Sequence, residues 1–239
     1  MAESGLSDKI VWVTGGSRGI GLAVAIAFAQ RGARVAISSR QQKELEEATA
    51  NVWDLRERLF PIKADVTLRS DVDDALILVK KRWGPVDILV NNAGVTIFKK
   101  VEEHTEKDWD ALMNNNLKSA FLCCQAVLPD MKERKSGHII NVLSVSARQP
   151  YPNCSGYCAS KYGLLGFTDV LRLEMRRHGI KVTAFFPGAT DTAVWAGTKA
   201  DRSRMMKTKD VAEALVAVVN SDAGSMIEEV VLRPIGGDL

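Results

Sequence analysis

Thr14-Gly15-Gly16-Ser17-Arg18-Gly19-Ile20-Gly21 is the stretch from which the fold can be read. It follows an apolar run over 10–13 and opens an Ala-rich segment that continues through Phe28 to Arg31. Strand, tight turn and helix arrive in the order of a dinucleotide-binding βαβ unit. Gly15 permits the turn, Gly19 lets backbone approach a pyrophosphate, and Gly21 lets the helix pack on the strand. The helix N-terminus offers unpaired N–H groups to phosphate oxygens, with Ser17, Arg18 and Ile20 completing the loop around them.

Outward from this loop, strand-like apolar runs recur at 35–38, 60–64, 88–90, 138–142, 182–186 and 230–232. Most are continuously apolar, as strands covered on both faces must be. Helical segments begin near Gly19, Gln42, Ser70, Lys107, Tyr157 and Thr208, and right-handed crossovers place them on both sides of the sheet. The expectation is an α/β fold, one doubly wound Rossmann-type domain over 1–239 with a mainly parallel seven-stranded sheet. In such a sheet, ligands bind beyond the carboxyl ends of the strands.

The 239 residues carry a formal charge of +3 with no basic block, so neither nucleic acid nor an anionic membrane is indicated as a partner. No apolar run approaches a membrane span, and Met1 to Asp8 lacks the pattern of a secretory signal. A soluble, cytoplasmic protein is expected. Cys123, Cys124, Cys154 and Cys158 lack the spacing of metal ligands and read as small buried hydrophobes. His104, His138 and His178 are scattered, so no metal site is assigned. Trp12, Trp53, Trp83 and Trp109 are expected to pack in the core or close helix ends.

At the end of the second strand, where an NAD enzyme commonly has an acidic residue for the ribose, stands Ser38-Ser39-Arg40. Arg40 and Arg18, beside Ser39, can grip a 2′-phosphate by charge-assisted hydrogen bonds. The plainer alternative is two solvated surface arginines. Asp65, followed by Val66 after the third strand, either meets the adenine amino group or caps the next helix. NADP(H) is therefore the expected coenzyme.

Three further motifs agree in order and spacing: Asn91-Asn92-Ala93-Gly94, Tyr157-Cys158-Ala159-Ser160-Lys161, and Pro187-Gly188 with Thr192. With the Gly-rich loop, they make the chain resemble the short-chain dehydrogenase/reductase family over nearly its whole length. The resemblance implies a catalytic set of Asn116, Ser144, Tyr157 and Lys161. It also implies coenzyme contacts from Asn92, Ala93, Gly94, Tyr157, Lys161, Pro187, Gly188, Thr190 and Thr192, and water held by Asn116 between the lysine and solvent.

The chemistry asks for these residue types independently. A free phenol with a pKa of about 10 is a poor acid–base group near neutrality. A lysine four residues along the same helix face favours the phenolate and brings that value down. Tyr157 would then protonate a carbonyl oxygen while hydride arrives at the carbon, and Ser144 would hydrogen-bond the developing negative charge. The expected function is an oxidoreductase exchanging hydride between NADP(H) and a carbonyl or secondary alcohol.

Several features depart from the family pattern. Leu143 stands where many relatives have a second serine, and Asn116 ends a run of three asparagines that leaves its alignment ambiguous. The ending from Val231 to Asp238 lacks the V-D-G-G of many ketoacyl reductases, which weakens an acyl-carrier substrate. The segment 193–207 corresponds to the substrate-covering loop, where Trp195 either walls an apolar pocket or packs on its own loop. Specificity is expected from Val145, Arg148, Asn153, Ala189 and Trp195. Apolar residues on more than one face of 107–135 and 157–178 point to a homo-oligomer, by resemblance a tetramer, although a dimer stays open. The alternatives are a catalytically silent NADP-binding regulator and a sugar-nucleotide epimerase. The intact catalytic set argues against the first, and the fifty or so residues after Gly188 against the second.

Overall fold

A computed structural model describes residues 6–221 and 224–237. Residues 1–5 of the Met1 to Asp8 segment and the terminal Asp238 lie outside it. Seven strands, β1 (Ile10–Thr14), β2 (Arg34–Ser39), β3 (Leu59–Lys63), β4 (Ile88–Asn91), β5 (Gly137–Val142), β6 (Ile180–Pro187) and β7 (Glu229–Leu232), form one sheet. Their order is β3-β2-β1-β4-β5-β6-β7, and every neighbouring pair is parallel. The chain runs outward from β1 to β3, then returns to place β4 on the other side of β1. Their carboxyl ends diverge there and open a crevice, the topological switch point.

Helices α1 (Gly19–Ala29), α2 (Gln42–Ala50), α3 (Arg69–Arg82), α4 (Glu106–Met113), α5 (Ser119–Arg134), α6 (Ser155–Arg176) and α7 (Thr208–Val219) cover the sheet. One core layer packs Val24 and Phe28 of α1 and Leu215 of α7 against Val11, Val13, Ile37, Ile140 and Phe185. The other packs Val72 and Val79 of α3, Val127 and Met131 of α5 and Leu171 of α6 against Trp12, Leu89, Ile139 and Val182. Alternate strand residues thus feed opposite layers, which is why the strands are apolar without interruption. Each large side chain buried this way contributes about 1.5–3 kcal/mol.

The single helix expected over 107–135 is instead α4 and α5, joined by a π-helical turn at Asn114–Lys118. The wider turn places Asn116 in the interior, 1% exposed, and π-turns of this kind concentrate at functional sites. The tryptophans divide. Trp12 is buried and its Nε1 donates to Ser38 Oγ at 3.1 Å, and Trp83 meets Phe60 edge to face. Trp53 and Trp109 are exposed, which rules out the core for them and leaves, of the two places expected, only the helix ends. The Trp53 ring is instead covered by the guanidinium of Arg56.

His138 on β5 is buried beside Thr183 Oγ1, at 2.8 Å, and burial followed by the Lys181 charge pushes its pKa down to about 4 from 6.5. The unfolded chain therefore binds the extra proton first, and stability falls as pH drops from 6.5 toward 4. Chemical denaturation at pH 7 and pH 5 should show His138→Gln losing about 2 kcal/mol less than the wild type over that interval. Equal losses would mean that His138 is not held neutral by its surroundings.

Candidate active site

The Gly-rich turn is held by the end of β4. Thr14 Oγ1 accepts the backbone N–H groups of Asn92 at 3.1 Å and Ala93 at 3.0 Å. Asn92 Nδ2 donates back to the carbonyls of Thr14 at 3.0 Å and Gly15 at 3.1 Å. Gly15 has φ +63°, and a Cβ there would lie 2.9 Å from Ala93 Cα. A Cβ on Gly21 would lie 2.3 Å from the Gly15 carbonyl, so the helix starts in contact with the turn. Among the described residues no side chain caps α1, and its first N–H groups, from Gly19 onward, face the crevice mouth. This cradle fits a pyrophosphate.

At the edge of the cradle the structure adds a residue that reading the β2 terminus alone missed. Ser17 Oγ lies 3.1 Å from Ser39 Oγ and donates at 2.9 Å to Glu44 Oε2, while Arg18 pairs with Glu44 at 3.5 Å. Arg40 is exposed at the end of β2. Asp65 accepts from Thr67 N at 3.0 Å and Thr67 Oγ1 at 2.7 Å, shaping the turn before α3, and Val66 beside it is buried.

On the opposite side, β5 and α6 bring together the residues expected to do acid–base chemistry. Tyr157 and Lys161 are one turn apart on α6, and Ser144 follows β5. The Tyr157 hydroxyl hydrogen-bonds Ser144 and Thr96, a residue that the sequence reading had not singled out although it lies two positions past Gly94. Ser144 Oγ also accepts from Ser146 N at 3.1 Å, which orients it. Lys161 Nζ donates to the Val142 carbonyl at 2.9 Å. Asn116 uses its whole amide: Oδ1 accepts from Val95 N at 2.7 Å, and Nδ2 donates to Val95 O at 3.0 Å and Ser160 Oγ at 2.9 Å. Ser160 Oγ in turn donates to the Tyr157 carbonyl at 2.7 Å, so Asn116 ties the loop after β4 to the first turn of α6.

Deeper in the core, Asn91 Nδ2 donates to Asn141 Oδ1 at 2.8 Å, and Asn141 Nδ2 to Thr168 Oγ1 at 2.8 Å. Thr168 donates to the Leu164 carbonyl at 2.6 Å. This buried chain pins α6 to β4 and β5, and its sequence signal is asparagine inside two otherwise apolar strands.

A cavity of about 650 Å³ opens over Tyr157 and Ser144. Its coenzyme-side wall includes Ile20, Asn92 and Gly94, with Lys161 beneath. Pro187, Gly188, Thr190 and Thr192 form the wall after β6. The outer wall holds Val145, Asn153, Cys154 and Ala189. Phe98 and Trp195 stack over it with ring centres 5.8 Å apart, and Trp195 Nε1 donates to Thr190 O at 3.0 Å, so this tryptophan both walls the pocket and packs on its own loop. Arg148, expected in the wall, lies instead over the Phe186 ring and pairs with Glu229. The four cysteines are buried and free.

The ionisation of the pair differs from the expectation of a lowered phenol. Burial raises the Tyr157 pKa, opposed by the hydrogen bonds from Ser144 and Thr96. Lys161 does not offset this, because its ammonium is turned to the Val142 carbonyl with Nζ 5.9 Å from the Tyr157 ring centre. Burial lowers Lys161 itself to about 8 from 10.5. Geometrically, the constellation can hold a carbonyl oxygen between two hydroxyls and deliver a proton to it.

The short chain dehydrogenase family model matches residues 9–203. An uncharacterized oxidoreductase of Staphylococcus epidermidis is 33% identical over 230 residues, 96% of this chain and 99% of that protein. One from Staphylococcus saprophyticus is 32% identical over 231 residues, again 96% and 99% of the two chains. Among solved structures, a metagenomic short-chain oxidoreductase in complex with NADP superposes with TM-score 0.84 and 31% identity, covering 97% of this chain and 99% of that one. An alcohol dehydrogenase from the archaeon Thermococcus sibiricus, complexed with 5-hydroxy-NADP, superposes with TM-score 0.88 at 26% identity, covering 96% and 97%. The fold and the site thus define a nucleotide-binding oxidoreductase of Rossmann type. The chain belongs to the short-chain dehydrogenase family.

The desolvated Lys161 has a measurable signature. Between pH 8 and 10.5 the unfolded chain holds a proton at this lysine that the folded chain has lost, so its contribution to stability rises with pH. The thermal midpoint of the wild type relative to Lys161→Met should therefore climb from pH 8 to pH 10. A constant difference would show that the ammonium is fully solvated.

Proposed function

We propose that the protein is an NADP(H)-dependent reductase of carbonyl groups, equally a dehydrogenase of the corresponding secondary alcohols. The observation that carries the reading is the Tyr157 hydroxyl, hydrogen-bonded to Ser144 and Thr96 at the base of the cavity with Lys161 one turn below. When bound, the nicotinamide supplies or accepts the hydride. Ser144 holds the substrate oxygen and stabilises charge that develops on it, and Tyr157 gives that oxygen its proton in reduction or takes it in oxidation. Lys161 binds the nicotinamide ribose and, as an ammonium, favours the phenolate once turned to that side. Asn116 positions the start of α6 and the loop that carries Thr96.

The coenzyme contacts fall to Gly15, Gly19, Ile20 and Gly21 at the pyrophosphate, to Ser17 where the loop meets Ser39 on the 2′ side of the adenosine ribose, and to Asn92, Ala93 and Gly94 along the ribose. Asp65 and Val66 serve the adenine, and Pro187, Gly188, Thr190 and Thr192 the nicotinamide amide. Arg18, Ser39 and Arg40 would receive the 2′-phosphate, a reading supported by the lack of a carboxylate at 38–40 and by the NADP ligands named for the two solved relatives. The buried free thiols suit a reducing cytoplasm.

Tyr157→Phe should leave NADPH affinity, read by fluorescence titration, nearly unchanged. It should lower kcat on an accepted ketone roughly 10²–10⁴-fold, because only the proton donor is removed. A variant that keeps most of the wild-type rate would exclude Tyr157 as the acid.

The quaternary reading is a homo-oligomer, a tetramer by family. Phe121 on α5 and Tyr162, Val170 and Leu173 on α6 stand exposed, Leu173 at 68%, on helices whose other faces already cover the sheet. Burying such a stripe against a second copy is the favourable outcome. Light scattering at micromolar concentration should give a multiple of the 26.1 kDa chain mass, and a sharp monomer would overturn this reading.

A further inference from the structure

Glu44 occupies an unusual place for a glutamate in the first turn of a helix. It stands at the third position of α2, where such a side chain commonly folds back onto the N–H of the residue that caps the helix. That N–H, on Gln41, is met instead by Ser39 Oγ at 3.4 Å. The Glu44 carboxylate reaches across to the Gly-rich loop, where it accepts from Ser17 Oγ at 2.9 Å and pairs with Arg18 at 3.5 Å. One hydroxyl, that of Ser17, and one guanidinium thus converge on this anion, with Ser39 Oγ behind Ser17 at 3.1 Å and Arg40 exposed nearby at the end of β2.

The convergence has two consequences. A carboxylate held by these donors stands where a phosphate dianion would be held, so it competes for Ser17 and Arg18 with any 2′-phosphate. The same carboxylate is also an acceptor for a ribose hydroxyl, the service that the β2 terminus of this chain lacks. The Arg18 side chain is 71% exposed and that of Glu44 33% exposed, so the pair is weakly held and Glu44 can swing into solvent.

We propose that Glu44 sets the coenzyme balance: turned inward it accepts the ribose 2′-hydroxyl of NAD(H), and turned outward it frees Ser17 and Arg18 for the 2′-phosphate of NADP(H). The protein then takes both coenzymes, and its preference for NADP(H) is smaller than two arginines alone would produce. This rests on the reading that the corner between Ser17, Arg18 and Ser39 receives the 2′ end of the adenosine ribose.

The test is equilibrium binding of NADPH and NADH, followed by coenzyme fluorescence, to the wild type, Glu44→Gln and Glu46→Gln. Glu46 is exposed on the same helix and accepts from Gln42 Nε2 at 2.9 Å, so its variant removes an equal charge at a distance from the loop. Loss of one charge-assisted contact corresponds to about tenfold in affinity. Glu44→Gln should tighten NADPH by about that factor and weaken NADH by a similar one, with Glu46→Gln moving neither. No change in Glu44→Gln, or shifts of both coenzymes in one direction, would overturn the proposal while leaving the coenzyme reading intact. A wild type that binds neither would overturn that reading as well.

Discussion

Thr14 and Asn92 make a reciprocal clamp: one hydroxyl takes two backbone N–H groups from the end of β4, and one side-chain amide gives two bonds to the end of β1. These four bonds lie at the switch point, where the two strands' connections leave in opposite directions, and they extend the β1–β4 pairing of Val11–Val13 with Ile88–Val90 past the strand ends. The clamp keeps the Gly15 turn open toward the crevice and sets where α1 begins. Everything that approaches the site from the coenzyme side depends on that geometry. Asn92, expected as a coenzyme contact, thus spends its side-chain nitrogen and its backbone N–H on the loop, which leaves its two oxygens and its place in the cavity wall.

The catalytic side is held by a different device. α6 carries Tyr157 and Lys161, and it is fixed in depth by the buried Asn91–Asn141–Thr168 chain and in position at its start by Asn116 and Ser160. Buried polar groups are costly when unpartnered, and although Asn91 Oδ1 has no partner among the described residues, the bonds that Asn91 Nδ2, Asn141 and Thr168 do make would be lost if the helix slid, so they favour one placement of it. The same burial governs ionisation. It raises the phenol and lowers the ammonium, leaving both less charged than they would be in water.

Between these two anchored sides the walls of the cavity come from segments of low regularity. Phe98, in the loop after β4, stacks on Trp195, from the turn after β6, and Lys99 pairs with Asp108 at 2.6 Å to tie that loop to α4. The pocket is bounded by this aromatic pair and by apolar side chains such as Val145 and Val194, with polar groups at Tyr157 and Ser144 and again at its rim, where Asn153, Asp201 and Arg204 stand. Ser144, Tyr157 and Lys161 thus stand on a strand end and a long helix while the outer cavity wall stands on loops, so the wall can vary without moving them.

The sequence by itself determined the sheet, because uninterrupted apolar strands separated by helical segments leave only a doubly wound arrangement open to them, and all seven runs became strands. The Gly-rich turn and the family were legible as well, since ordered motifs carry them, and the family resemblance in turn implied the Ser144–Tyr157–Lys161 grouping that β5 and α6 bring together. The π-turn was hidden, because a run of three asparagines inside a continuous helical pattern has no periodicity of its own. Thr96 and Phe98 were hidden because a loop's course depends on what it packs against. Arg148 was misread for the same reason: its guanidinium had both the pocket and the Phe186 ring within reach, and packing chose the ring. Glu44 shows the limit most clearly. Its 27-residue separation from Ser17 carries no signal, and only the parallel pairing of β1 with β2 brings the start of α2 against the loop where a carboxylate can reach Ser17 and Arg18.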